Sequence, residues 1–187
     1  MKNIFLTGEV GTGKSTVIRK VLELLQPIVC GGFLTVSVAI EECDFMEVHI
    51  EKAWEKTPHD ADHLVGTRLG HGRFTPYPQT FDSVGAQIVT SPPANASIIL
   101  MDELGKMEND APLFRQAVMD ALNGPIPILG VIKPKHTDFL DAIRSHERSE
   151  VFEITGNNRE TLPIRLAELL FKGISSGKRA ENEFSVK

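Results

Sequence analysis

The constraint that narrows this chain most lies in its first fifteen residues. Ile4, Phe5 and Leu6 form an apolar run, and Gly8, Gly13, Lys14 and Ser15 follow in the spacing GxxxxGK[ST]. An apolar strand that feeds a glycine-rich turn and then opens a helix points successive backbone N–H groups into one concavity, shaped for the oxygens of a polyphosphate. Along Gly8, Glu9, Val10, Gly11, Thr12, Gly13, Lys14, Ser15 and Thr16 the glycines supply unusual backbone angles and leave room for the ligand. Lys14 is placed to reach β- and γ-phosphates, and the Ser15 hydroxyl to hold a magnesium ion (Mg2+) bridging them. The helix that follows reads from residues 15–26, where Val17, Val21, Leu24 and Leu25 share one face before Pro27.

A second stretch gives that loop a counterpart. Ile98, Ile99, Leu100 and Met101 match a strand buried on both faces, and Asp102 and Glu103 terminate it. Carboxylates capping a strand where it meets water would explain the pair on their own. In a chain that also carries a phosphate loop they have a sharper use: Asp102 holds the magnesium through its water shell, and Glu103 orients or deprotonates the attacking water. Ligands of open parallel sheets sit outside the carboxyl ends of the strands, so both motifs are expected on one edge.

Between the two motifs, residues 29–40 and 45–50 read as a β-hairpin, with His49 an ordinary strand histidine. Residues 57–78 read as a long loop. Its His59, His63 and His71, with Asp60 and Asp62, fit a solvated loop better than a metal site, because the stretch has no sustained helical period to set ligands on one face. Arg68 and Arg73 in the same stretch are candidates for a mobile cation over the γ-phosphate, with Arg68 taken as the catalytic one. Residues 79–90 read as an amphipathic helix bearing Phe81, Val84, Ile88 and Val89.

After the acidic pair come a helix capped by Asn109 or Asp110, a buried strand over 126–132, a helix capped by Thr137, a strand over 151–155 and a helix over 161–171. Alternation of this kind predicts an α/β fold: a mainly parallel sheet flanked by helices, with a small β-hairpin insertion. Residues 1–174 are expected to form one domain and residues 175–187 a flexible tail.

Composition limits the partners. A formal charge of -5 with a pI near 5.7 argues against a general nucleic-acid or anionic-membrane surface and favours small molecules. Cys30 and Cys43 lie in no CxxC or Cys/His metal spacing, so neither a disulfide framework nor a zinc site is expected and a cytoplasmic setting fits. No apolar run reaches the roughly 18 residues of a membrane span, and the chain opens directly on its apolar strand without a leader pattern.

Six stretches together resemble a known family. They are GEVGTGKST from Gly8, GGFLT from Gly31, GTRLGHGRF from Gly66, MDELGKME from Met101, GVIKPKHTDFLDAI from Gly130 and EITGNNRETLP from Glu153. The chain resembles the small nucleoside-triphosphatase family first described from thermophiles, which also contains the cancer-related nucleoside triphosphatase. That resemblance implies a RecA-like fold within the P-loop NTPases and magnesium-dependent removal of the γ-phosphate from ATP, GTP and other nucleoside triphosphates. It also sets Gly105 and Lys106 beside the nucleotide. Where that family often carries a histidine after a late buried strand, this chain has Lys133. Two other classes share the loop: a small nucleoside or nucleotide kinase, which needs an acceptor pocket, and a nucleotide-dependent switch, which needs an NKxD-type base reader absent from this sequence. Base preference and oligomeric state stay open.

Overall fold

Ile4, Phe5 and Leu6 are buried in β1 (Asn3–Thr7), a strand whose side chains find apolar partners on both faces of a sheet. A computed structural model describes residues 1–40, 44–70 and 72–184, with 176–184 as helix backbone alone. Following β1 are α1 (Lys14–Leu25), β2 (Cys30–Ile40), β3 (Phe45–Lys52), β4 (Leu64–Leu69) and β5 (Thr75–Pro76). Next, α2 (Pro78–Thr80) passes through a π-helical turn (Phe81–Gly85) into α3 (Ala86–Thr90). The chain then forms β6 (Ile98–Leu104), α4 (Pro112–Asn123), β7 (Ile128–Ile132), α5 (Asp138–Ser145), β8 (Ser149–Glu153) and α6 (Leu162–Phe184).

All eight strands belong to one sheet in the order β5-β4-β3-β2-β6-β7-β1-β8. From β2 to β8 the neighbours run parallel, whereas β2, β3, β4 and β5 pair antiparallel. Helices α1 and α6 cover one face through Val17, Val21, Leu166 and Leu170, packed on Ile4, Leu6, Leu129 and Val131. The other face packs Phe5, Phe33 and Met101 against Phe81, Phe114 and Leu140. Phe114 meets Phe33 edge-on at 5.4 Å and Phe81 at 5.1 Å. Each such fully buried side chain contributes about 1.5–3 kcal/mol, so this layer fixes α4 to the sheet.

Several elements depart from the sequence reading. Ile18, not Leu24, completes the buried face of α1, and Leu24 points to solvent at 55 % exposure. The stretch expected as a loop contains β4, whose Gly66 disguises a strand; a side chain there would strike Phe74 at 2.1 Å, so the aromatic ring occupies the missing Cβ position. The expected hairpin therefore grows into an antiparallel extension of β2 through β5. Neither Asn109 nor Asp110 caps α4. Asp82, from the π-helical turn, accepts hydrogen bonds from the N–H groups of Leu113 (2.8 Å) and Phe114 (3.0 Å). Thr137 does cap α5, accepting from Leu140 N–H at 3.2 Å. The last helix runs on to Phe184 through residues expected as a tail, and 185–187 lie outside the described residues. No helix among the described residues is long and apolar enough to cross a membrane.

At Gly32, strand β2 lies close against β6. The φ of Gly32 is +84° and a Cβ would lie 2.0 Å from the Leu100 carbonyl oxygen. Gly32→Ala is expected to lower unfolding free energy by about 3 kcal/mol or more, from backbone strain plus a forced separation of the strands. Urea midpoints measure this, and an unchanged midpoint would mean that the two strands part without cost.

Candidate active site

Three glycines with positive φ shape the loop that leaves β1: Gly8 (142°), Gly11 (81°) and Gly13 (94°). Val10 at its tip is 93 % exposed, and Thr12 Oγ1 donates to Glu9 O at 2.9 Å, closing the turn. Helix α1 starts at Lys14 with no side-chain cap and no acidic residue in its first turn, which leaves its N–H groups and positive dipole end open to an anion. Lys14 folds back over the loop, its Nζ donating to Gly8 O and Glu9 O, each at 2.8 Å. Ser15 and Thr16 follow on the exposed side of that turn.

The acidic pair is held differently from the sequence reading. Strand β6 does not stop at Met101 but continues to Leu104. Met101 pairs with Gly130 and Leu104 with Ile132, so three steps on β6 face two on β7 and the extra residue makes a bulge. Glu103 takes φ 64°, a left-handed conformation that costs a residue other than glycine about 1–3 kcal/mol. The bulge aims the two carboxyls apart. Asp102 and Ser15 line a cleft of about 320 Å³ between α1 and β2, while Glu103 lines a cavity of about 660 Å³ bounded by β2, β3, β4 and the turn after β6. Thr35 Oγ1 donates to the Asp102 carbonyl at 3.3 Å and ties β2 to the bulge.

Electrostatics join the two motifs. Burial pushes the Asp102 carboxyl up to about 6, and the neighbouring Glu103 charge adds to the rise; Lys133 and Lys14 oppose it. Lys133 Nζ lies 3.5 Å from Glu103 Oε2. Its backbone is clamped, the N–H donating to Leu104 O at 2.9 Å and the carbonyl accepting from Arg144 Nη2 at 2.7 Å.

The remaining residues named from the sequence fall around this pair. Gly105 is buried at the start of the turn after β6, and Lys106 stands exposed beside it on the larger cavity. Arg68, half-buried on β4, reaches into the same cavity; its Nη2 lies 3.6 Å from Met46 Sδ and its buried Nε has no hydrogen-bond partner. Arg73 sits at the exposed rim. Cys30 is a free thiol on the Ser15 cleft, and Cys43 lies outside the described residues. The histidines are engaged elsewhere: buried His49 has Nε2 3.1 Å from Glu47 Oε2 and stacks on His59, which pairs with Glu51, and His63 pairs with Asp60. His71 is outside the described residues.

Sequence reasoning gave no role to Glu108, the most buried carboxyl of the site. Its Oε2 accepts from Gly105 N–H at 2.9 Å and closes the turn, while Oε1 is buried without a partner. Burial pushes its pKa up to about 7. The available signal was its place three residues after a glycine, a spacing that lets a carboxylate return to the N–H of that glycine.

A family model described as NTPase (NTPase_1) matches residues 3–167. The chain is 29% identical over 170 residues to the Nucleoside-triphosphatase THEP1 of Natranaerobius thermophilus, covering 89% of this chain and 94% of that one. It is 27% identical over 185 residues to the human Cancer-related nucleoside-triphosphatase, covering 86% and 92%. Among solved structures, THEP1 from Aquifex aeolicus superposes with a TM-score of 0.68 at 23% identity, over 91% of this chain and 99% of that one. A human cancer-related nucleoside triphosphatase gives 0.64 at 26%, over 91% and 97%.

The raised Glu108 carboxyl carries a stability prediction. A group whose pKa rises on folding binds its proton more tightly in the native chain, so its contribution is greatest in acid and is lost as pH climbs from the unfolded value of 4.5 through about 7. Between pH 5 and pH 8 the protein is expected to lose about 1–3 kcal/mol through this group. Glu108→Gln should flatten that part of the curve in chemical denaturation, leaving the smaller slope due to Asp102; an unaltered slope would show that Glu108 does not titrate there.

Proposed function

The chain belongs to the NTPase family whose model spans residues 3–167; it is a nucleoside-triphosphatase, and we propose that it hydrolyses ATP, GTP and other nucleoside triphosphates, with magnesium, to diphosphate and phosphate at the site just described. The observation that supports this reading is that Ser15, next to Lys14 on the phosphate loop, and Asp102 line one cleft. A cytoplasmic setting belongs to the same proposal, in keeping with the free Cys30 thiol.

A hydroxyl and a carboxylate are hard oxygen donors, and magnesium takes one or two such protein ligands alongside substrate phosphates and water. Ser15 and Asp102 fit that set, and the Asp102 carboxylate has no hydrogen-bonded partner among the described residues to compete. Magnesium, when bound, neutralises charge on the β- and γ-phosphate oxygens.

The loop from Gly8 to Thr16 receives the phosphates on its N–H groups. Lys14 exchanges its two carbonyl partners for phosphate oxygens. Glu103 takes a proton from the attacking water as the γ-phosphorus separates from the oxygen shared with the β-phosphate, and the diphosphate leaves. Lys133, whose Nζ stands 3.5 Å from Glu103 Oε2, orients that carboxylate, and Arg68 supplies positive charge to the γ-phosphate. Gly105 and Lys106 line the turn that flanks the substrate. Contacts confined to phosphates carry no information about the base, which accounts for a broad nucleotide range.

Lys14→Ala is expected to remove both triphosphate affinity and turnover, because the cation serves ground and transition states alike. Glu103→Gln should leave nucleotide binding nearly intact while turnover drops by about 10²-fold, the usual cost of losing a general base. Phosphate release from a panel of triphosphates, with and without magnesium, together with nucleotide titration, measures both. Full activity in Lys14→Ala would remove the loop from the reaction, and lost binding in Glu103→Gln would make that residue structural.

A further inference from the structure

The cavity on the Glu103 side of β6 is larger and more cationic than an attack by water requires. Its volume is about 660 Å³, within the roughly 300–1,000 Å³ of small-molecule sites, whereas a γ-phosphate fills only a fraction of that space. Arg68, Arg73, Lys106, Lys133 and Lys135 line it, opposed by Glu103 and Asp110. Among the described residues Lys133 alone of these five cations has an ion-pair partner. Arg68 faces the cavity from a half-buried strand with a buried, unpartnered Nε. Cations left unpaired around one cavity call for an anion there.

Charge on the nucleophile separates two uses of such a cavity. Water attacks as a neutral molecule, and Lys14 with Arg68 already meets the γ-phosphate, which leaves the other unpaired cations of the cavity without a use in hydrolysis. A phosphate-bearing nucleophile brings its own negative charges against the γ-phosphate, and like charges a few ångströms apart repel strongly where water is partly excluded. Cations between the two phosphates remove that barrier. The walls suit the body of such a ligand: Phe74, Met46 and Met107 offer a flat apolar surface, and Ser37, Thr35 and Asn109 offer polar edges.

We propose that this cavity is an acceptor subsite for a nucleoside monophosphate, and that the protein transfers the γ-phosphoryl group to it as well as to water. The proposal rests on the phosphate loop as donor site. The bond from the γ-phosphorus to the oxygen bridging the β-phosphate breaks, and a bond from the same phosphorus to a phosphate oxygen of the acceptor forms. Donor and acceptor both end as diphosphates. A phosphomonoester has its second pKa near ~6, so the attacking oxygen is already ionised at neutral pH and no proton moves. Glu103 is then needed for hydrolysis but not for transfer.

The test incubates the protein with magnesium and γ-labelled ATP plus AMP, GMP, CMP, UMP or dTMP, with ribose 5-phosphate as a separate arm. The expected result is label in at least one nucleoside diphosphate and none in a ribose product. Glu103→Gln should cut phosphate release by about 10²-fold while transfer persists. Ser37→Trp, at an exposed position on the cavity wall, should lower transfer by about tenfold or more with phosphate release unchanged, since a filled subsite misplaces the acceptor. Its circular dichroism spectrum and melting curve should match the parent's. Label appearing only in inorganic phosphate overturns the acceptor proposal and leaves the hydrolase standing. Equal labelling of ribose 5-phosphate overturns the nucleoside assignment, and transfer untouched by Ser37→Trp overturns the location. Phosphate release that survives Lys14→Ala overturns the donor site itself.

Discussion

Parallel pairing of β1 with β7, and of β7 with β6, is the constraint on which the site depends. Phe5 sits opposite Gly130, and Gly130 opposite Met101. That single cross-sheet row fixes how far the loop after Leu6 stands from the carboxyls after Met101. The helices on either face reinforce the register, because each strand alternates its buried side chains between the two cores and a slip by one residue would exchange them. Chemistry at the sheet edge therefore inherits its precision from apolar packing beneath it.

Upon this frame the bulge at Asp102 and Glu103 adds one deliberate irregularity. A regular strand would also send adjacent side chains to opposite faces, but it would carry them past the sheet edge with no support on the β7 side. Here Leu104 returns to the ladder beyond the bulge, buried opposite Ile132, so both carboxyls are anchored at each end. The left-handed Glu103 is the cost, and the turn closed by Glu108 on Gly105 helps to hold it. Strain at a functional carboxylate is tolerated where its surroundings over-determine the backbone.

What could be read from the sequence divides along the range of the interactions. The phosphate loop, the first helix and the α5 cap rest on contacts within a few residues, and the string of residue types carries them. Strand β4 stayed hidden because Gly66 is explained by a ring eight residues away, and the α4 cap because its acceptor, Asp82, is about thirty residues upstream. The bulge is invisible for a related reason: Asp-Glu after an apolar run describes a strand end equally well, and only pairing with β7 decides between them. Arg68 was picked out for its type and glycine neighbours, but its placement in the Glu103 cavity comes from antiparallel pairing with Met46.

Two cations of the candidate site have partners within the protein. Lys14 rests on two loop carbonyls, and Lys133 on Glu103. In the proposed reaction a triphosphate would take the place of the two carbonyls at Lys14, so binding would gain only the difference between old and new partners rather than their full strength. The exchange is larger when charge builds on the γ-phosphate oxygens, since carbonyl dipoles offer Lys14 less than a developing anion does. Self-satisfaction at rest thus weakens the grip on the ground state more than the grip on the transition state, which is the inequality that turnover requires.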